Sequence, residues 1–192
     1  MPTEPSKPAF NIVFVCTGNR FRSPLAAALM EKLAEGLPVV VTSMGTLDLG
    51  SLGPLPEAGA LASGYGVSLN SHRTRPIRRG SLVDADLVVG FERVHIVTAV
   101  IDGGAKAERA FTLPDLVDLL EQGVRPDPTL DPAQRARQAV ASAHDGRVGA
   151  RREAMLEIAD PLGQPWSTQE EIARRLSDLT QRLASALFGS SS

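Results

Sequence analysis

The sequence predicts a single α/β domain: a four-stranded, mostly parallel sheet flanked by helices in three layers. Three observations carry this reading. Short apolar runs occur four times, and stretches with helical periodicity separate them, which is the alternation that builds βαβ units. The first run, Ile12 to Val15, is unbroken by polar residues, as expected of a strand buried on both faces of a parallel sheet. At 192 residues and 43% hydrophobic content, the chain suits one domain with a sizeable core.

The elements follow in order. Residues 1–9, polar and Pro-rich, read as a disordered lead-in, residues 10–188 as the domain and residues 189–192 as a disordered tail. The first strand spans 10–16. Ser23 can cap a following helix and Pro24 suits its first position. Leu25, Leu29 and Leu33 recur along it, and Gly36 can end it. Val39, Val40 and Val41 open a second strand, which ends at residues 42–46. Residues 47–56 read as a loop, 57–64 as a short helix and 71–75 as a polar connection. A third strand is expected at 85–90, a helix at 93–101, a fourth strand at 110–113 and a helix from 114. Residues 123–133, with three prolines, read as a long loop. Helices are expected at 136–143 and 151–158, around a break at Asp145 and Gly146. The Asp160–Pro165 stretch cannot be helix interior. The last helix starts near Ser167, with Glu170 as a capping-box partner, and carries a stripe of Ile172, Leu176, Leu179, Leu183 and Leu187.

Composition excludes several functions. A formal net charge of −2 provides no basic field for nucleic acid or an anionic membrane surface, and 4% aromatic residues make a poor stacking platform. No run reaches the ~18 apolar residues of a membrane span. The N-terminus lacks the basic and apolar regions of a signal peptide. A single cysteine cannot form an internal disulfide, and these features together point to the cytoplasm.

That cysteine, Cys16, closes the first strand, where ligands of open α/β sheets bind. A lone cysteine there is ordinarily a small buried hydrophobe. Its neighbours point elsewhere. Gly18 and Asn19 tolerate backbone conformations that let successive N–H groups converge. The helix starting at Ser23 aims its N-terminal amides at the same concavity, and Arg22 adds a planar fork that matches two phosphate oxygens. The field of this nest favours Cys16 as a thiolate, and Ser23 can hydrogen-bond the sulfur. A thiolate inside an oxyanion nest implies attack on phosphorus and a cysteinyl-phosphate, with charge on the equatorial oxygens held by the loop amides and Arg22. The leaving oxygen then needs a proton donor. His72, His95 and His144 lie in settings that more often hold surface or structural histidines. Asp160, before Pro161 in a rigid loop, is the better acid.

The stretch Cys16-Thr17-Gly18-Asn19-Arg20-Phe21-Arg22-Ser23-Pro24 resembles the low-molecular-weight protein tyrosine phosphatases. Ser43-Met44-Gly45-Thr46, Ser71-His72-Arg73, the segment from Asp84 to Val88 followed by Glu92-Arg93 and His95, and Asp160-Pro161 are similar to that family's later motifs, in the same order over roughly residues 10–188. The resemblance implies a four-stranded parallel sheet with the phosphate-binding loop between first strand and first helix. It implies Cys16 as nucleophile, Arg22 as phosphate clamp and Asp160 as general acid and then base. Thr17, Gly18, Asn19, Arg20, Phe21 and Ser23 would complete the phosphate-binding loop, braced by Ser43 and His72. The implied partners are a phosphorylated protein, most naturally phosphotyrosine, and inorganic phosphate, with neither metal nor organic cofactor.

Departures from the family's pattern sit at the rim. Phe21 stands where many members carry a second cysteine, so recovery from oxidation would need an external thiol. Leu162 and Gly163 stand where many carry aromatic residues. Arg20 replaces a small or apolar residue, and residues 121–150 lengthen the chain. Arsenate reduction on the same fold would need an external thiol as well. Phosphoarginine would meet repulsion from Arg20. A non-catalytic phosphate-binding module is the reading from a different class, and the full set of catalytic residue types argues against it.

Overall fold

The computed structural model describes residues 9–123, 126–149 and 157–189. Residues 1–8 and 190–192, which hold nearly all of the expected lead-in and tail, lie outside them. The elements run β1 (Phe10–Cys16), α1 (Arg22–Leu33), β2 (Val39–Gly45), α2 (Pro56–Gly64), β3 (Leu87–Gly90), α3 (Arg93–Ile101), a 3-10 turn (Ala107–Arg109), β4 (Ala110–Thr112), α4 (Leu113–Gln122), α5 (Pro132–Gly149) and α6 (Trp166–Phe188). The four strands form one sheet in the order β2-β1-β3-β4, and every pairing is parallel. All carboxyl ends therefore point the same way, and Cys16, Gly45, Gly90 and Thr112 end their strands along one edge.

Strand alternation sorts β1 between two cores. Phe10, Ile12, Phe14 and Cys16 join the larger one, with Leu25, Leu29 and Met30 of α1, Leu116 of α4 and Leu176, Leu183 and Leu187 of α6. Val13 and Val15 face a smaller core closed by Ala99 of α3 and by Leu82, Ala85 and Ala105 from connections. The three layers are thus unequal. Helix α5 belongs to the heavier side. Its Ala133, Ala136, Ala139 and Ala143 are buried there, and small side chains on this face let the helix lie close.

Most expected elements form within a few residues of their predicted bounds, and the differences have physical reasons. Leu33 is exposed, because a four-residue repeat drifts about 40° per step round a helix. Helix α1 begins at Arg22 and has no side-chain cap, since the Ser23 hydroxyl is engaged with Cys16 instead. Helix α6 begins at Trp166 after Pro165 and also lacks a side-chain cap, so the expected capping box is not made. Helix α5 continues through Asp145 and Gly146. A glycine costs a helix interior only ~1 kcal/mol, and Gly146 fits closely under Leu119 of α4. Arg147 one residue later lies 4.2 Å from the Phe111 ring centroid and donates to the carbonyls of Ala110 and Ala107. Of the helix expected at 151–158, residues 151–156 lie outside the described residues, and Glu157 and Ile158 are not helical.

Among the described residues no helix is long and apolar enough to cross a membrane.

Candidate active site

The loop from Cys16 to Ser23 lies where β1 hands over to α1. Its carbonyls are claimed from outside. Thr46 N–H donates to the Cys16 carbonyl at 2.9 Å, Leu47 N–H to Thr17 at 3.0 Å and Leu55 N–H to Arg20 at 2.9 Å. His72 Nε2 donates to the Asn19 carbonyl at 2.7 Å. No peptide bond is cis among the described residues. In a trans peptide the N–H points opposite to the C=O, so the amides of Thr17, Gly18, Arg20 and Phe21 are turned to the other side, into the loop. The anion nest expected from the sequence follows from the groups that hold its back.

Asn19 is the keystone. Its φ of +52° makes it the non-glycine residue with left-handed backbone among those described. Gly18 does not adopt a positive φ, so the conformational burden falls on Asn19 alone. The Arg75 N–H donates to Asn19 Oδ1 at 3.0 Å, which fixes the orientation of the amide. Both protons of Nδ2 are then spent on Ser23 Oγ at 2.8 Å and Ser43 Oγ at 2.9 Å. The Ser23 oxygen also lies 3.0 Å from Cys16 Sγ, and the Ser23 hydroxyl has the Met44 carbonyl as a further acceptor at 3.4 Å. Gly45 keeps the space for this packing. A Cβ there would meet the Thr17 carbonyl at 3.0 Å and Asn19 Cβ at 3.1 Å.

Arg22 is 1% exposed and joins three segments. Nη1 donates to Glu92 Oε2 at 2.6 Å and to the Ile158 carbonyl at 2.9 Å, and Nη2 donates to Asp160 Oδ2 at 2.6 Å. The segment leading to Asp160 is docked on the end of β3, because Ile158 N–H donates to the Phe91 carbonyl and Arg93 N–H to Glu157 Oε1. Asp160 also accepts the Leu162 N–H on Oδ1 at 3.0 Å, a local turn that presents its carboxylate to the cleft.

A cleft of about 230 Å³ opens above Cys16. Its floor is the loop, with Arg22 and Asp160 on one side. Its walls are Leu47, Leu49, Leu55 and Leu162, with Arg20 at the rim. Arg20 Nε donates to the Gly53 carbonyl at 2.9 Å, which ties the rim to the 47–55 loop. Phe21, expected at the rim, is instead 4% exposed and anchors in the larger core.

Every site residue named from the sequence therefore meets around this cleft or its brace. Two participants were missed. Glu92 holds Arg22, and His95, judged surface or structural by its setting, is fully buried against the loop. His95 Nδ1 accepts the N–H groups of Phe91 and Glu92 at 3.2 and 3.0 Å, and Nε2 lies 3.0 Å from Thr17 Oγ1. The available signal was their position just past the third strand, on the same edge as Cys16. His144 lies away from the site, beside Arg147.

Burial, then the Arg22 guanidinium, lower the His95 pKa from 6.5 to about 4, with Asp160 opposing. Burial also lowers that of His72, against the raising effect of its bond to the Asn19 carbonyl. In the unfolded chain such imidazoles titrate near ~6.5. Below that pH the unfolded state takes up more protons, so stability is full above it and declines as pH falls toward about 4. His95 accounts for ~3 kcal/mol of that loss, or a Tm change of roughly 10 °C. Thermal melts across this window should show a steeper fall for the wild type than for His95→Asn, and equal slopes would contradict the assignment.

The comparisons agree with the geometry. The sequence model described as "Low molecular weight phosphotyrosine protein phosphatase" matches residues 11–142. The chain belongs to that family. This phosphatase is 34% identical to the protein-arginine-phosphatase of Bacillus subtilis over 109 residues, covering 56% of this chain and 72% of that protein. It is 36% identical to the low molecular weight protein-tyrosine-phosphatase Wzb of Escherichia coli K12 over 86 residues, which is 45% of this chain and 57% of Wzb. The crystal structure of a YwlE mutant from B. subtilis superposes with a TM-score of 0.65 at 26% identity, covering 92% of this chain and 97% of that one. A low molecular weight protein tyrosine phosphatase from T. tengcongensis shares the fold, with a TM-score of 0.67 at 22% identity over 91% of this chain and 97% of that one. The enzyme is a cysteine-dependent phosphatase.

Proposed function

We propose that this phosphatase hydrolyses phosphotyrosine in proteins, with Cys16 as nucleophile, Arg22 as clamp and Asp160 as proton carrier. The observation that carries the reading is the single constellation of Cys16 Sγ on Ser23 Oγ and Arg22 on Asp160, at the floor of an apolar-walled cleft. The Cys16 thiolate attacks phosphorus while the bond to the phenolic oxygen breaks, and Asp160 gives that oxygen its proton. The Asp160 carboxylate then takes a proton from water, which attacks phosphorus and expels the thiolate. Inorganic phosphate leaves.

The ion pair between Arg22 and Asp160 sets the order of events. A bound dianion competes for the Nη2 that holds Asp160. Its own charge replaces the carboxylate on the guanidinium, which frees Asp160 to face the leaving oxygen. Substrate binding and arming of the acid are therefore one exchange at one nitrogen.

Leu47, Leu49, Leu55 and Leu162 offer an aliphatic wall that suits a phenyl ring. The B. subtilis relative favours a second reading, protein phosphoarginine. The Arg20 side chain at the rim sets a cation against a phosphoguanidine, which is why tyrosine is preferred. A reducing, cytoplasmic setting suits a lone nucleophilic thiol.

Phosphotyrosine and phosphoarginine peptides of one sequence, together with aryl phosphates of graded leaving-group acidity, test both points. We expect phosphotyrosine to be the better substrate by ~10-fold or more in kcat/KM. We expect Asp160→Asn to slow the poorest leaving groups by ~10²-fold while sparing the best. Preference for phosphoarginine would reverse the substrate assignment, and uniform slowing across leaving groups would remove Asp160 as the acid.

A further inference from the structure

Thr17 lines the cleft next to Cys16, and nothing in cysteine-based phosphoryl transfer requires a hydroxyl there. Its partner explains its orientation. Two backbone N–H groups, of Phe91 and Glu92, point at His95 Nδ1. A ring nitrogen that accepts two donors carries no proton, so the proton of the neutral imidazole is on Nε2. Nε2 therefore donates to Thr17 Oγ1 across 3.0 Å, the nearer of its two acceptors, with Glu92 Oε2 at 3.4 Å. The hydroxyl has accepted, and its own proton is left to donate elsewhere. Across the loop Ser23 Oγ likewise accepts from Asn19 Nδ2, and it lies 3.0 Å from Cys16 Sγ.

We propose that His95 is a positioning residue that holds the Thr17 hydroxyl as a hydrogen-bond donor to the bound phosphoryl group. The cradle then has a side-chain donor beyond its amides and Arg22. The same ring fixes the Glu92 backbone through Nδ1, and the Glu92 carboxylate holds Arg22 at 2.6 Å. One imidazole thus sets the distance between the hydroxyl and the arginine clamp. The inference rests on the phosphatase reading and extends it to residues outside the motif around Cys16.

The test measures inhibition by inorganic phosphate, competing with an aryl phosphate. Thr17→Val should raise the phosphate Ki by about ten-fold, the loss of one hydrogen bond to a charged group, and Thr17→Ser should restore it to within about three-fold. His95→Asn should raise Ki in the wild-type background and hardly at all in the Thr17→Val background. Additive effects, or a Thr17→Val enzyme with unchanged Ki, would overturn the proposal. If His95→Asn does not fold, the ring nitrogen spectrum of the wild type decides: a protonated Nε2 whose signal moves in Thr17→Val supports the proposal, and a protonated Nδ1 overturns it. Absence of wild-type turnover would instead overturn the phosphatase reading and this inference with it.

Discussion

Cys16→Ser should abolish hydrolysis of any aryl phosphate, with kcat reduced by ~10⁴-fold or more, while inorganic phosphate still binds. The two halves of this expectation have separate causes. Turnover needs a nucleophile that departs readily from phosphorus, and a serine alkoxide is a poor leaving group. Binding needs the inward amides, the helix N-terminus and Arg22. None of these depends on the sulfur, because the loop is held from behind by Thr46, Leu47, Leu55 and His72. Phosphate should therefore bind about as tightly as to wild type. Phenol release and calorimetric titration with phosphate measure the two quantities. Residual turnover near the wild-type rate would move the nucleophile away from Cys16, and loss of phosphate binding would mean that the nest does not stand without its thiol.

How much of this arrangement can be read from sequence depends on the range of the interactions that make it. The unbroken apolar run of β1 and the stripe of α6 are local patterns, and both elements form as their patterns dictate. Cys16, Arg22 and Ser23 are legible because one short loop carries them at fixed spacing. Asp160 is 138 positions from Arg22, and it is legible because the chemistry demands an acid and Asp160-Pro161 matches a family motif. Ser23 shows where local reading fails. It has the chemistry of a helix cap, and the competing claim on its hydroxyl comes from Asn19 and Cys16 in three dimensions. Asp145 and Gly146 read as a break because sequence shows the cost of a glycine and not the Leu119 and Phe111 contacts that offset it. His95 was passed over for the same reason. Its function lies in Thr17, 78 positions away, and no periodicity or spacing encodes that meeting.

Arg22→Lys should be the most damaging substitution that keeps the charge. We expect kcat/KM to fall by ~10³-fold and the fold to lose ~3 kcal/mol. The guanidinium serves three acceptors with two nitrogens: Glu92 and the Ile158 carbonyl on Nη1, Asp160 on Nη2. A lysine ammonium is a point donor on a flexible stem and cannot span the ends of β3 and the acid loop together. At 1% exposure water cannot replace the lost bonds. One consequence is structural: residues 158–160 lose their tie to α1, so Asp160 is no longer fixed over the cleft. The other is electronic, because the bidentate hold on the equatorial oxygens disappears as the transition state spreads charge onto them. The two can be separated. Thermal melts report the first. The second shows in phosphate Ki and in kcat for an aryl phosphate whose leaving group needs no proton, since that substrate is insensitive to where Asp160 sits. An Arg22→Lys enzyme that lost activity only toward poor leaving groups would mean that Arg22 acts through Asp160 and does not clamp the phosphoryl group. A large loss for good leaving groups, larger still for poor ones, with weakened phosphate binding, is the expected result.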